Sequence, residues 1–275
     1  MNGIWGLLRG QKIDNYRLEE ILGVGGEGCV FRANQIIGDH ILTQQYALKL
    51  RPTDTENFYR GFQELDAATR LSHPNILRAS HVGEGKINNH QFLYLVMDLA
   101  NGTLHDRVSP NSPLSKTEVL EIVKSLASAL EYMHGQTPPI VHRDLKPGNV
   151  MRMGEEWKIG DFGIARETNS QGVRLTRAMG TREYAPPESY KGIISLPWDL
   201  WSLGVMIIEM LTGKLPFNTD TEQVLQAEIT EADGIKLAKN LPAPFDEIVR
   251  GCLSKDPKQR WTATQVLDVL SIEPP

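Results

Sequence analysis

In Val141-His142-Arg143-Asp144-Leu145-Lys146-Pro147-Gly148-Asn149, and again at Asp161-Phe162-Gly163, the chain gathers a carboxylate, an ammonium and two further oxygen donors. Asp144, when ionised, only accepts hydrogen bonds and can take a proton from a hydroxyl. Lys146, two residues on in an extended loop, projects to the same side and can neutralise charge on a moving phosphoryl group. Asn149 and Asp161 offer the hard oxygens that Mg²⁺ accepts when it is shared with substrate phosphates. A base, a cation and two metal-capable oxygens within this span point to phosphoryl transfer.

These groups need elements to hold them. Tyr16–Leu22 alternates as a strand and runs into Gly23-Val24-Gly25-Gly26-Glu27-Gly28-Cys29-Val30-Phe31-Arg32-Ala33. A G-x-G-x-x-G also serves dinucleotide sites, but those need a helix straight after the glycines. Cys29–Ala33 is β-prone instead, so a hairpin covering phosphates fits better, with glycines that let the backbone approach closely. Ile36–Gln45 reads as a loop, and Tyr46–Leu50 as a strand carrying one inward cation, Lys49. Phe58, Phe62, Leu65, Ala68 and Leu71 recur at helical spacing and predict a helix over about Thr55–Leu71 that bears Glu64. Gln91–Met97 predicts a buried strand.

Ser115-x-x-Glu118 is a capping box that opens a helix to about His134, and Pro138-Pro139 deliver the chain to the Asp144 loop. Val150–Arg152 and Trp157–Gly160 predict a hairpin, and Ile164–Met179 is a polar, basic segment with no periodic pattern. Trp198–Leu211 is apolar on nearly all faces and predicts a core helix. Its Asp199 could bind the backbone of the Asp144 loop or simply answer the helix dipole. Thr221–Ile229, Pro244–Leu253 and Thr262–Leu270 supply further helices.

Taken together and in order, these motifs resemble the protein kinase family, serine/threonine branch, and Pro138-Pro139 resembles its bacterial members. The resemblance covers about Tyr16 to Leu270 and implies an α+β, bilobal fold. A small antiparallel sheet with one main helix would form the N-lobe, and a larger, mainly helical C-lobe would follow. The implied organisation is an N-terminal extension over 1–15, a kinase domain over 16–271 and a tail over 272–275. Within the domain, the N-lobe covers 16–97, the hinge 98–102 and the C-lobe 103–271. The implied reaction transfers the γ-phosphoryl group of ATP, with Mg²⁺, to Ser or Thr hydroxyls of a protein substrate.

Carried over residue by residue, Asp144, Lys146, Asn149 and Thr181 are the catalytic set, and Asn149 and Asp161 the metal ligands. The nucleotide falls to Leu22, Gly23, Gly25, Gly28, Val30, Ala47, Lys49, Glu64, Met97, Asp98, Ala100 and Met151. Lys49 is expected to pair with Glu64, and Glu188 with the distant Arg260. Arg143 and Thr176 are the regulatory pair, with Thr176 phosphorylated in trans through self-association and pinned by Arg143. Ala68 and Pro186 depart from the usual family residues. The rival reading is a pseudokinase scaffold, which normally loses the lysine, the catalytic Asp or the metal Asp; Lys49, Asp144 and Asp161 all remain.

Composition narrows the partners. The 275 residues carry a net charge of −5, which gives no global attraction for nucleic acid or anionic membrane. No apolar run is long enough for a membrane span, and two cysteines form no framework, so a cytoplasmic location is expected. The seven histidines form no metal-ligand spacing; His142 reads as a packed histidine and Cys29 as an inert, partly buried thiol.

Overall fold

The computed structural model describes residues 5–26, 28–53, 58–109, 112–161, 166–167, 173–174 and 181–272. The fold is α+β, and the chain divides into two compact units. One comprises residues 1–72 and 77–100, the other residues 73–76 and 101–275.

The first unit is an antiparallel sheet of six strands. They are β1 (Lys12–Ile13), β2 (Tyr16–Gly25), β3 (Gly28–Ile37), β4 (His40–Pro52), β5 (Ala79–Ile87) and β6 (His90–Asp98), ordered β1-β2-β3-β4-β6-β5. Leu18, Phe31, Ala33, Leu48, Leu50 and Val96 point to one buried face. The expected loop over Ile36–Gln45 is corrected: β3 and β4 pair almost to their tips, and Ile37 faces His40 across a two-residue turn. Gly38 supports that turn at φ +59°, which a Cβ would disfavour. Its residues are mostly solvent-facing, the apolar Ile37 and Ile41 among them, so no apolar alternation marked the strands. β5 carried no signal either, because Gly83 and Gly85 interrupt it. Both glycines are packing requirements; a Cβ at Gly85 would lie 2.6 Å from Ile13 Cγ1.

Residues 5–15 belong to this sheet's packing. Leu8 and Ile13 are buried in the core, and Trp5 sits against Phe92. Tyr94 donates a 2.5 Å hydrogen bond to Asp14. The helix α1 (Phe58–Thr69) packs on β5 and β6 through Leu65, Ala67 and Ala68, all buried. Its expected first residues lie outside the described ones, as does the side chain of Glu64.

The second unit is mainly helical. α2 (Lys116–His134) starts on the expected box: Ser115 Oγ accepts from Glu118 N, and Glu118 reaches back to Ser115 N at 3.1 Å. Those hydrogen bonds also hold the Glu118 carboxyl below the usual range. α3 (Trp198–Thr212) is buried along almost its whole length, as its all-round apolar sequence requires. Around these two stand α4 (Glu222–Glu231), α5 (Gly234–Ala238), α6 (Phe245–Cys252) and α7 (Ala263–Ile272). The short strands are β7 (Gly102–Thr103), β8 (Ile140–Val141), β9 (Val150–Met153), β10 (Glu156–Ile159), β11 (Arg166–Glu167), β12 (Val173–Arg174) and β13 (Ile193–Ile194). β9 and β10 form the expected hairpin, turning at Gly154 with φ +61°. Thr103-Leu104 opens only a single 3₁₀ turn, Leu104–Asp106, closed by the Asp106 carboxylate on Thr103 N. No helix among the described residues is long and apolar enough to cross a membrane.

Candidate active site

The loop after β8 is held from beneath. Asp199, at the start of α3 and fully buried, accepts from Arg143 N at 2.8 Å on one oxygen and from His142 N at 2.9 Å on the other. His134 Nε2 lies 2.9 Å from the second oxygen. Burial opposes the charge on Asp199, yet the hydrogen bond and charge of His134, with His142, more than offset it and hold its pKa below the usual carboxylate value. The anchor restrains a costly backbone: Arg143 has φ +67°, a left-handed conformation that a non-glycine residue adopts at about 1–3 kcal/mol.

His142 is fully buried and bridges two stretches of the site. Its Nδ1 accepts from Asp144 N at 3.3 Å, while Nε2 faces Gly160 O at 3.0 Å. Both contacts fit one neutral tautomer with the proton on Nε2. Gly160 N in turn donates to Asn149 O at 2.9 Å. The residue before Asp161 is thereby tied to the Asp144 loop, and Asp161 itself has φ +58°.

On the open side of the loop stands Asp144, its side chain 17% exposed. Oδ1 accepts from Thr181 N and Thr181 Oγ1, both at 2.8 Å. Oδ2 accepts from Asn149 Nδ2 at 3.0 Å and lies 3.0 Å from Lys146 Nζ. Lys146 also donates to Thr181 Oγ1 at 2.6 Å. Asp144, Lys146, Asn149 and Thr181 thus form one hydrogen-bonded group. Asn149 uses Nδ2 on Asp144, which leaves Oδ1, a hard oxygen, for another partner.

Thr181 is placed by its own segment. Glu188, in the 3₁₀ turn Pro187–Lys191, is bound by both terminal guanidinium nitrogens of Arg260, at 2.7 and 2.9 Å, with both side chains buried. Ser195 Oγ adds a 2.5 Å bond to Glu188. Tyr184 donates to Glu209 at 2.7 Å, and Ser202 Oγ donates to Tyr184 O at 2.8 Å. Burial raises the Glu209 carboxyl against the lowering effect of Tyr184 and His105, and raises the Tyr184 phenol as well.

In the first unit, Lys49 lies on β4 between Val30 and Leu95, its side chain buried. Ala47 and Met97 face one another across β4 and β6, and both are buried. Leu22 is exposed at 41% of its surface, and a Cβ at Gly23 or Gly25 would meet nothing within 4 Å. Gly28 is different: a Cβ there would lie 2.0 Å from Leu50 O, so β3 could not run beside β4 with any side chain at that position. Asp98 closes β6 and donates its N–H to Arg78 O at 3.0 Å, and Ala100 is the last residue of the unit. Met151 lies in the second unit, on β9 opposite Thr103. Cys29 is fully buried rather than partly, and burial pushes its thiol up to about 11, which keeps it protonated.

Some expectations fall outside the described residues. Thr176 and Phe162 do so entirely, as does the side chain of Glu64. The sequence reading also missed parts of the site. His134 with Asp199 and Tyr184 with Glu209 act across long stretches of chain, Ser195 reaches Glu188 over seven residues, and no periodicity marks any of the three. For His134 the available signal was its place as the last residue of a helix whose capping box was already legible.

Residues 16–270 match the family model described as a protein kinase domain. The chain is 31% identical over 269 residues to a probable serine/threonine-protein kinase of Clostridium acetobutylicum, covering 94% of this chain and 40% of that protein. It is 31% identical over 277 residues to the serine/threonine-protein kinase PrkC of Bacillus subtilis, with 95% and 41% covered. Against the serine/threonine-protein kinase pkn3 of Myxococcus xanthus it is 37% identical over 218 residues, with 75% and 39% covered. The chain belongs to the protein kinase family. It spans about two fifths of the length of these relatives.

Proposed function

We propose that the protein is a serine/threonine protein kinase that moves the γ-phosphoryl group of ATP onto Ser or Thr hydroxyls of a protein substrate. The observation that carries this reading is the bonded group of Asp144, Lys146, Asn149 and Thr181, with the Asp144 carboxylate partly open to solvent. In the proposed step the acceptor oxygen attacks the γ-phosphorus, the bond to the β-phosphate oxygen breaks, and ADP leaves. Asp144 orients the acceptor hydroxyl and takes its proton. Lys146, bonded to both Asp144 and Thr181, stands by the position where charge develops on the transferring group. Thr181 holds the Asp144 carboxylate in one rotamer through two hydrogen bonds.

The donor set fits a Mg²⁺ shared with phosphates: Asn149 Oδ1 and the Asp161 carboxylate would hold it, and it would offset phosphate charge. The glycine-rich turn, with open space over Gly23 and Gly25, suits nucleotide phosphates, and Lys49 held by Glu64 would position them. Ala47, Met97, Asp98, Ala100, Leu22, Val30 and Met151 would receive the adenine end. Thr176 phosphorylation in trans, with Arg143 as its anchor, completes the proposal, as do self-association and a cytoplasmic location. Residues 16–271 would act as the kinase domain, with 98–102 as its hinge.

The direct experiment is transfer of radiolabelled phosphate from Mg·ATP to a generic protein acceptor. Label on Ser or Thr is expected from the native chain, and Asp161→Ala should abolish the Mg²⁺-dependent turnover. A native chain that binds ATP but labels nothing would establish the scaffold reading. For the pair, Lys49→Met and Glu64→Gln are expected to be strongly non-additive in kcat/KM; additive losses would show that the two do not act together.

A further inference from the structure

We propose that Arg182 selects acidic protein substrates: its guanidinium takes a carboxylate that lies beside the acceptor hydroxyl, and the Arg182–Glu222 ion pair is the contact this carboxylate replaces. The inference deepens the kinase reading above and rests on it. Arg182 directly follows Thr181, whose N and Oγ1 both donate to the Asp144 carboxylate. It opens the 3₁₀ turn Arg182–Tyr184, whose backbone is fixed from several sides. Tyr184 N donates to Thr181 O and Ala185 N to Arg182 O, each at 3.1 Å, while Ser202 and Glu209 hold Tyr184. The Arg182 side chain, by contrast, is 47% exposed. A guanidinium is thus carried on a rigid base, on the residue next to the one that orients Asp144, and the transfer step itself makes no use of it.

The charges around Thr181 favour an incoming anion. Lys146 donates to Thr181 Oγ1, so this threonine has one cation bonded to it and a second on the next residue. The carboxylates nearby are engaged: Asp144 by Thr181, Asn149 and Lys146, and Glu209 by the Tyr184 hydroxyl. Gly148, two residues after Lys146, brings no side chain, and a Cβ there would meet nothing within 4 Å. Glu183, on the same turn as Arg182, is the remaining competitor among the described residues; Tyr190 feels the two charges with opposite sign. Glu222, the partner of Arg182, is itself 58% exposed, and an ion pair so open to water is weak. Glu222 also stands in the first turn of α4, where the helix dipole favours its charge without help from Arg182. The pair therefore gives way readily to a substrate carboxylate, which the planar guanidinium can bind through two parallel hydrogen bonds.

Three peptides with a single Ser acceptor, flanked by Glu, Gln or Lys and otherwise identical, test the selection. The native chain should use the Glu peptide about fivefold better than the Gln peptide in kcat/KM, and the Lys peptide least. The difference should lie in the peptide KM and shrink as salt is raised. Arg182→Ala should level the Glu and Gln peptides, and Arg182→Glu should invert the order, with KM for ATP within about twofold of native in both. Glu222→Gln frees Arg182 and should strengthen the preference for the Glu peptide by about twofold or more. A purely structural tie between the turn and α4 predicts instead that Glu222→Gln and Arg182→Ala are impaired alike on all three peptides, which would overturn the proposal. Equal native use of the Glu and Gln peptides would overturn it too, and a native preference for Lys would hand the selection to Glu183 and Glu222. Fluorescence anisotropy with the same peptides, Ala replacing the acceptor Ser, reads the order of binding without any transfer. A native chain that phosphorylates none of the peptides would sink the kinase reading, while the anisotropy order would still decide whether Arg182 takes the carboxylate.

Discussion

Asp144 and Asp199 are two carboxylates in the same unit, each receiving hydrogen bonds at both oxygens, yet they are built for opposite ends. Asp199 is sealed, bound by two amides and an imidazole, and its contacts hold other residues still. Asp144 is partly exposed, and its partners are Thr181, Lys146 and Asn149, side chains that could also meet a substrate. Glu188, clamped by Arg260, belongs with Asp199. The difference teaches that hydrogen-bond number does not distinguish a reacting carboxylate from a structural one; access to solvent and the chemistry of the partners do.

The contrast can be broken experimentally. The largest effect is expected at the Glu188–Arg260 pair. Glu188→Ala strands a buried guanidinium and should cost about 3–5 kcal/mol, read as a fall in the midpoint of denaturant unfolding. Asp144→Asn should do the reverse, leaving stability close to native while turnover falls about 10²-fold, roughly 2.7 kcal/mol of barrier. If Asp144→Asn instead unfolds the protein at native activity per folded molecule, the two carboxylates are not different in kind.

Asp199→Asn should lower stability by about 2 kcal/mol, because the amide turns a donor towards groups that donate. Since the folded-state pKa of Asp199 is depressed, the native chain has its full contribution above the ordinary carboxylate value of 3.8 and loses it as pH falls through the folded value. The variant's deficit should therefore shrink in acid, which unfolding midpoints at a series of pH values would check.

The smallest effect concerns His73, whose pKa is lowered by burial and by nearby Lys158. Its neutral form is favoured on folding, so its contribution is complete above 6.5 and is lost as pH falls from there towards the folded value. His73→Gln should flatten that part of the stability profile; an unchanged slope between native and variant would show that His73 does not titrate on unfolding.

Local signals account for what the sequence made legible. The Ser115–Glu118 box, the apolar run of α3 and the Asp144 loop each depend on residues close in the chain, and each stands where expected. The Glu188–Arg260 pair is far apart, yet the kinase resemblance named both ends before geometry joined them. The β3–β4 hairpin was lost because its tip is solvent-facing on both strands, so no apolar alternation marked it. β5 was lost to glycines that are there for close packing. His134 was lost because its role is a single contact with a residue on another helix, a relation of three-dimensional packing that leaves no trace in spacing.

Four residues, His73–Ile76, leave the sheet unit and complete the helical one. There His73 stacks on Tyr132, its Nε2 3.3 Å from Ser128 Oγ; Asn75 O accepts from Ile159 N at 2.8 Å, and Asn75 Nδ2 donates to Trp157 O at 3.2 Å. The chain is therefore not modular at any one peptide bond. A fragment ending at Ala100 would carry an orphaned strap, and one beginning at Asn101 would lack the cover over β10. Exchange of the sheet unit between relatives is expected to succeed only when the grafted piece keeps the host's own residues 73–76, and a peptide spanning them should restore helical fragments that fold poorly without it.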